Sequence, residues 1–284
     1  MQDLVTPKQV ARAIGVSESS LKRWCDSGLI PSIRTAGGHR RIPISGVISY
    51  LRSTQQALVA PELIGLPATS GESERVVTRG RSQLRDSLLN GDEERSRQIV
   101  FDLYLAGQSL STICDETISA AFTEIGERWA CQETDVYEER RACEIMIRVL
   151  HELRKVVPPN PTLRVALGGT LAGDQYVIPT TMVELILMNC GWNARSLGSN
   201  IPAASIELAI TDHRPRLFWL SVSYISELEA FVRDVAQIKT VAEAAGCSLI
   251  LGGFALTPEV RGRLGEIPFC DSMQELERIS DTLT

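Results

Sequence analysis

The stretch Ile33-Arg34-Thr35-Ala36-Gly37-Gly38-His39-Arg40-Arg41-Ile42 constrains this chain more than any other ten residues. Two adjacent glycines between short extended arms mark a tight hairpin, because glycine enters left-handed backbone without steric cost. Pro31 opens the hairpin and Pro43 closes it. An arginine on each arm of such a wing can reach phosphates on either side of a groove.

The residues before it read as two short helices. Thr6-Pro7 starts the first, with a hydroxyl cap and proline at the first helical position. Gly15 ends it, Ser17 caps the second, and Gly28 ends that one. Leu21 and Trp24 are expected in the core. Ser19, Ser20, Lys22 and Arg23 are left facing outward, as a recognition helix requires. A third helix is expected over Ser45 to Leu51. Residues 1–52 carry eight Lys or Arg against three Asp or Glu, a net of +5. The whole chain is −6, which leaves −11 for the rest. A basic module on an acidic protein points to a local nucleic-acid site, here double-stranded DNA.

This segment resembles the DNA-binding domain of MerR-type regulators, whose wing carries a Thr-x-Gly-Gly-His-Arg-Arg pattern, present here as Thr35 to Arg41. The resemblance implies that Lys22 and Arg23 lie in or beside the major groove. It implies that Arg34, His39, Arg40 and Arg41 contact the DNA backbone from the wing. For His39 a packing role that pins the hairpin stands beside the DNA role.

Residues 53–75 hold Pro61, Pro67 and the polar run Thr69 to Ser73 with little periodicity, and read as a flexible linker. Residues 76–157 show apolar spacing of three and four, including Ile99, Val100 and Leu103, then Ile118, Ala121 and Ile125, then Ile145, Met146 and Val149. That pattern predicts a four-helix bundle. Residues 158–284 alternate short β-type runs with helical segments, as in a doubly wound, flavodoxin-like parallel sheet. Ligands of such sheets sit at the carboxyl ends of the strands.

The order bundle then sheet resembles the cobalamin-binding module of methionine synthase type. With a MerR-type head it resembles the light-responsive, cobalamin-dependent repressors. Trp129 matches the bundle tryptophan that stacks on the corrin. Ser221 and Ser223 match the serine-bearing strand end, and Gly252-Gly253 the paired glycines beside the nucleotide tail. The cobalt chemistry is missing. Where the family has an acid, one residue, His, two residues and Gly, this chain has Asp174-Gln175-Tyr176-Val177-Ile178-Pro179. Where the family has Glu-His ten residues after the bundle Trp, it has Glu139-Arg140. The light-responsive members add a His directly after that Trp, and here Ala130 follows it. In the family the acid of the first loop orients the His that binds cobalt.

The expected molecule is therefore a non-enzymatic transcriptional regulator. Its winged helix-turn-helix, bundle and flavodoxin-like domain bind no metal and use no His-ligated cobalamin; the cobalamin-type module is a degenerate sensor or oligomerisation domain, and the protein self-associates through residues 76–284. Cobalamin held by altered ligation is the alternative. A corrinoid methyl carrier, and a haem or redox sensor using Tyr176 or Cys131, are weaker ones. Trp129 would then be a core aromatic or line a different pocket. The chain has three His and seven scattered Cys without metal-ligand spacing. It has no Ser-His-Asp order and no phosphate loop. No run reaches the ~18 apolar residues of a membrane span, and the N-terminus lacks a signal-peptide core, so a cytoplasmic protein is expected.

Overall fold

In the computed structural model the described residues are 4–54, 56, 58–66, 73–158 and 164–283, with the side chains of 73–79 left aside. They form two compact units that divide after Pro158. Pro67 and Thr69 to Glu72 of the expected linker, and Leu163 of the first expected strand, lie outside the described residues.

The first unit opens with β1 (Leu4–Val5), α1 (Pro7–Ala13) and α2 (Glu18–Asp26). The caps lie where the sequence puts them: Thr6 accepts from the Gln9 N–H and Ser17 from the Ser20 N–H. Gly15 and Gly28 take positive φ at the two helix ends. The wing is β2 (Ile33–Arg34) and β3 (Arg40–Pro43), antiparallel, with Arg34 opposite Arg40. β1 pairs with the outer side of β3 and makes a three-stranded sheet. Helix α3 (Ile44–Thr54) follows directly. Leu21 is fully buried, whereas Trp24 is only half-buried and tilts against the Tyr50 ring, centroids 5.2 Å apart.

The segment expected as a flexible linker is in part a packed strap. The N–H groups of Val59 and Ala60 both donate to the Ala13 carbonyl, at 2.8 and 3.0 Å. A 3-10 turn (Pro61–Ile64) then buries Ile64, with Leu66 buried just beyond. The reason is local: these few apolar residues cover the end of α1, whose carbonyls need donors. Arg52 of α3 donates to the carbonyls of Tyr104 and Gln108, and its guanidinium lies 4.0 Å over the Tyr104 ring.

Four helical stretches form the bundle: α4 (Ser73–Asn90), α5 (Glu93–Leu105), a third made of α6 (Leu110–Thr112), a π-type stretch (Ile113–Ser119) and α7 (Ala120–Ala130), and α8 (Val136–Val156). Leu84, Leu88, Ile99, Val100, Ile118, Ile125, Met146 and Leu150 are buried between them.

The second unit is a parallel five-stranded sheet of β4 (Val165–Gly169), β5 (Asn193–Ser196), β6 (Leu217–Ser221), β7 (Ser248–Gly252) and β8 (Phe269–Cys270). The strand order is β5-β4-β6-β7-β8. Helices α9 (Val177–Asn189), α10 (Ala203–His213), α11 (Leu228–Ala245), α12 (Pro258–Leu264) and α13 (Met273–Thr282) connect and cover it. The order reverses between β4 and β6, which puts the switch-point crevice at their carboxyl ends. Leu167, Phe218, Leu220, Leu249 and Leu251 form one core with Ile206 and Ile210 of α10 and Val235 and Ile238 of α11.

Candidate nucleic-acid interface and ligand-site residues

The basic residues of the head fall into two groups. Ser19, Lys22 and Arg23 are exposed on α2, and Arg34 and His39 are exposed on the wing. Lys22 pairs with Glu18 one turn earlier at 2.8 Å, a solvated contact of small energetic weight. The wing turn closes through three bonds, Thr35 N–H to the His39 carbonyl, Gly38 N–H to the Thr35 carbonyl and His39 N–H to the Thr35 hydroxyl. Gly38 takes φ +77°, which only glycine adopts cheaply. The His39 ring is exposed and lies over the turn, where a Cβ on Gly37 would stand 3.5 Å from its Cδ2.

Arg40 behaves differently from its neighbours. Its side chain is only 14% exposed. One nitrogen donates to the Lys22 carbonyl at 2.9 Å and another pairs with Asp26, both on α2. It thus ties the wing to α2, which sets it apart from the exposed Arg34 and His39. Arg41 is half-buried, with one nitrogen on the Arg40 carbonyl at 3.2 Å.

In the bundle, Trp129 sits in the last turn of α7 and is 53% exposed, so the reading of it as a core aromatic is corrected. Glu139 is half-buried, accepts from the Cys143 thiol at 3.3 Å and lies 3.5 Å from Arg140, which is exposed. Burial and Glu139 push the Cys143 thiol up to about 12, so it stays protonated at neutral pH.

In the second unit Asp174 is 2% exposed. One of its oxygens accepts from the Tyr176 N–H at 3.0 Å. The other accepts from the N–H groups of Ser223 and Tyr224, at 2.6 and 3.2 Å. Burial raises its carboxyl above the usual range, and the three N–H donors pull it back down. The Asp174 carbonyl takes the Thr170 hydroxyl and the Asn200 N–H. This one residue ties the loop after β4 to the loops after β5 and β6, across the switch point. Sequence reasoning missed Thr170 and Asn200. Asn200 has φ +57°, a value that asparagine tolerates better than most residues.

Tyr176 is exposed and caps α9, which begins at Val177. The loop expected to run through Pro179 is thus the first helical turn, where a missing N–H costs nothing. Ser221 is buried and Ser223 half-buried. The glycine pair has a backbone reason. A Cβ on Gly253 would stand 2.2 Å from the Val222 carbonyl oxygen, and Gly253 takes φ +136°. A Cβ on Gly252 would stand 2.8 Å from the Cys270 carbonyl oxygen. A small cavity of about 260 Å³ opens beside Asp174, among Leu171, Val222, Ile225, Phe231 and Asp234. It lies at the lower end of small-molecule pockets and is far too small for a corrin. Among the described residues no three His, Cys, Asp or Glu side chains converge on a metal position, and no helix is long and apolar enough to cross a membrane.

A helix-turn-helix domain model matches residues 4–55, and a B12 binding domain model matches residues 81–154, the span of the bundle. The chain joins a helix-turn-helix domain to a B12-binding-type domain. It is 24% identical over 257 residues to the HTH-type transcriptional repressor CarA of Myxococcus xanthus, covering 84% of this chain and 86% of that one. It is 19% identical over 188 residues to the trimethylamine corrinoid protein of Methanosarcina barkeri, covering 65% of this chain and 87% of that one. The monomethylamine corrinoid protein of the same organism shares the fold, with a TM-score of 0.62 over 73% of this chain and 99% of that one, at 13% identity.

Proposed function

We propose that this protein is a DNA-binding transcriptional regulator, and not an enzyme, whose cobalamin-type module works without His-ligated cobalamin as a sensor or assembly domain. The division of labour is a head of residues 1–52, a bundle of 76–157 and a sheet domain of 158–284. The similarity to a repressor along most of both chains supports the regulatory role. The exposed Ser19, Lys22 and Arg23 on α2 suit a major-groove helix, and Arg34, His39 and Arg41 supply the wing contacts.

One observation carries the view of the sheet domain. In the resemblance drawn from the sequence, the acid of the first loop orients a cobalt-bound histidine. Here Tyr176 stands at the His position, and both Asp174 oxygens are already bonded to backbone N–H groups. The carboxylate has become a stitch across the crevice. Trp129, Glu139, Arg140, Ser221, Ser223, Gly252 and Gly253 are then remnants of a ligand site. The exposed Trp129, and the B12 binding domain match over the bundle, favour a second reading, a cobalamin-dependent repressor with altered ligation.

A head this small covers one half-site, and two half-sites sit ~34 Å apart for a dimer, so the protein binds its operator as a homo-oligomer held through residues 76–284. The test is calorimetry of the full chain with adenosylcobalamin in the dark. No saturable heat is expected. A stoichiometric micromolar complex, ~−8 kcal/mol or better, overturns this reading in favour of the second.

A further inference from the structure

The two faces of the parallel sheet are built from different residues. The face towards α10 and α11 carries Leu167, Phe218, Leu220, Leu249 and Leu251. The face towards α9 carries the alternate positions: small on β4 and β5, at Ala166, Gly168, Ala194 and Ser196, and at Ser221 on β6, with the larger Leu217, Trp219 and Ile250 on the strands beside them. Small side chains beneath a helix leave a slot between sheet and helix. One side chain fills it. Trp219 is paired in register with Gly168, and a Cβ on Gly168 would stand 2.0 Å from the indole. The indole is buried, and its N–H donates to the Thr180 hydroxyl of α9 at 3.0 Å. That hydroxyl lies 3.3 Å from the Ser196 hydroxyl.

A ligand at the strand ends that buries an arm in this domain has one face open to it. The α10/α11 face is packed with large side chains, and only the α9 face has small ones, along β4 and β5. Cobalamin carries such an arm, ending in a benzimidazole, a planar bicyclic ring of nearly the shape of indole. Protein interiors are packed too densely for both to occupy one slot.

We propose that Trp219 is a resident plug and the specificity-determining residue of this module. Its indole occupies the slot that a planar base on a ligand arm would need, so the domain admits at its strand ends only ligands without an inserted base. This deepens the reading of a module without His-ligated cobalamin, because it excludes the arm and not the corrin ring.

The experiment titrates the full-length protein and Trp219→Ala with cyanocobalamin and with dicyanocobinamide, which has no nucleotide arm. Alongside, melting curves are taken with and without 5,6-dimethylbenzimidazole at ~1 mM, a probe for the vacated slot. Wild type is expected to bind the two corrinoids within about threefold of one another or to bind neither, and its melting midpoint should ignore the free base. Trp219→Ala should melt higher with the base, and should favour the cobalamin by about tenfold wherever corrinoid binding is measurable. If Trp219→Ala does not fold, Trp219→Leu takes its place with the same readouts. Wild type favouring cobalamin over cobinamide by tenfold overturns the plug, as does a folded variant that ignores the base. Equal micromolar binding of both corrinoids to wild type leaves the plug standing and overturns the cobalamin-free reading instead.

Discussion

Arg40 and Arg34 face one another across the wing but differ in exposure and partners, and salt dependence separates the duties proposed for them. Removing a single phosphate contact flattens the slope of log affinity against log salt by ~0.9. Between about 50 and about 200 mM salt one such contact therefore changes affinity by about 3.5-fold. Arg34→Ala, which removes an exposed wing cation, should lower the slope by ~0.9, and Arg41→Ala by up to the same amount. Arg40→Ala removes a bond to the Lys22 carbonyl and an ion pair with Asp26. Asp26 is well exposed, so the pair is screened, and the two interactions together are worth about 1 kcal/mol. Loosening the wing by that much costs at most about fivefold in affinity at every salt concentration, with the slope unchanged. Fluorescence anisotropy on a labelled duplex across a salt series measures both quantities. An Arg40→Ala slope flattened as far as that of Arg34→Ala would refute the assignment of Arg40 as a wing tie.

Other variants test the second unit and the assembly. Gly168→Ala in wild type places a methyl group against the Trp219 indole and should cost about 2 kcal/mol or more, whereas in Trp219→Ala, itself worth about 3–5 kcal/mol, it should cost almost nothing. Additive costs in urea melts of the two single variants and the double variant would mean that the ring does not occupy that space. Asp174→Ala leaves three backbone N–H groups without their acceptor and should destabilise by about 3 kcal/mol, while surface Asp212→Ala should not. Because burial raises the Asp174 carboxyl above its unfolded value, its ionisation opposes folding at neutral pH. Its contribution is most favourable below the unfolded pKa and disappears as pH rises through the folded one. Wild type should thus gain stability relative to Asp174→Asn as pH falls from about 7 to about 4, and a flat or inverted difference would contradict the shift. Light scattering of the protein on its duplex should give two or more chains, and a single chain per duplex would remove the proposed assembly.

Local signals are legible in the sequence and distant pairings are not. Thr6-Pro7, Gly15, Ser17 and Gly28 each act within one helical turn, and each lies at the helix end that its chemistry predicts. The same kind of signal at Thr257-Pro258 starts α12, a helix too short to show a period. Pro179 reads as a helix breaker in the sequence, yet it falls in the first turn of α9, which has no use for its N–H. Arg40 counts as wing charge in the sequence because Asp26 lies 14 positions away, and pairing at that range depends on how the hairpin folds back. Asp174 matches a motif acid, but its donors at Ser223 and Tyr224 come 49 and 50 positions later and meet it only once β6 lies beside β4. The plug is hidden for the same reason. Trp219 reads as one residue of a buried strand, and only the parallel register sets it on Gly168.

The central claim is that DNA binding by this chain does not answer to cobalamin. The direct test uses a duplex selected by the protein from a random pool. Affinity is then measured by gel shift without cobalamin, with adenosylcobalamin in the dark, and with the same sample after illumination. Three affinities within about twofold of one another are predicted. A change of tenfold or more with adenosylcobalamin, or its reversal by light, would contradict the account and make the protein a cobalamin-dependent regulator.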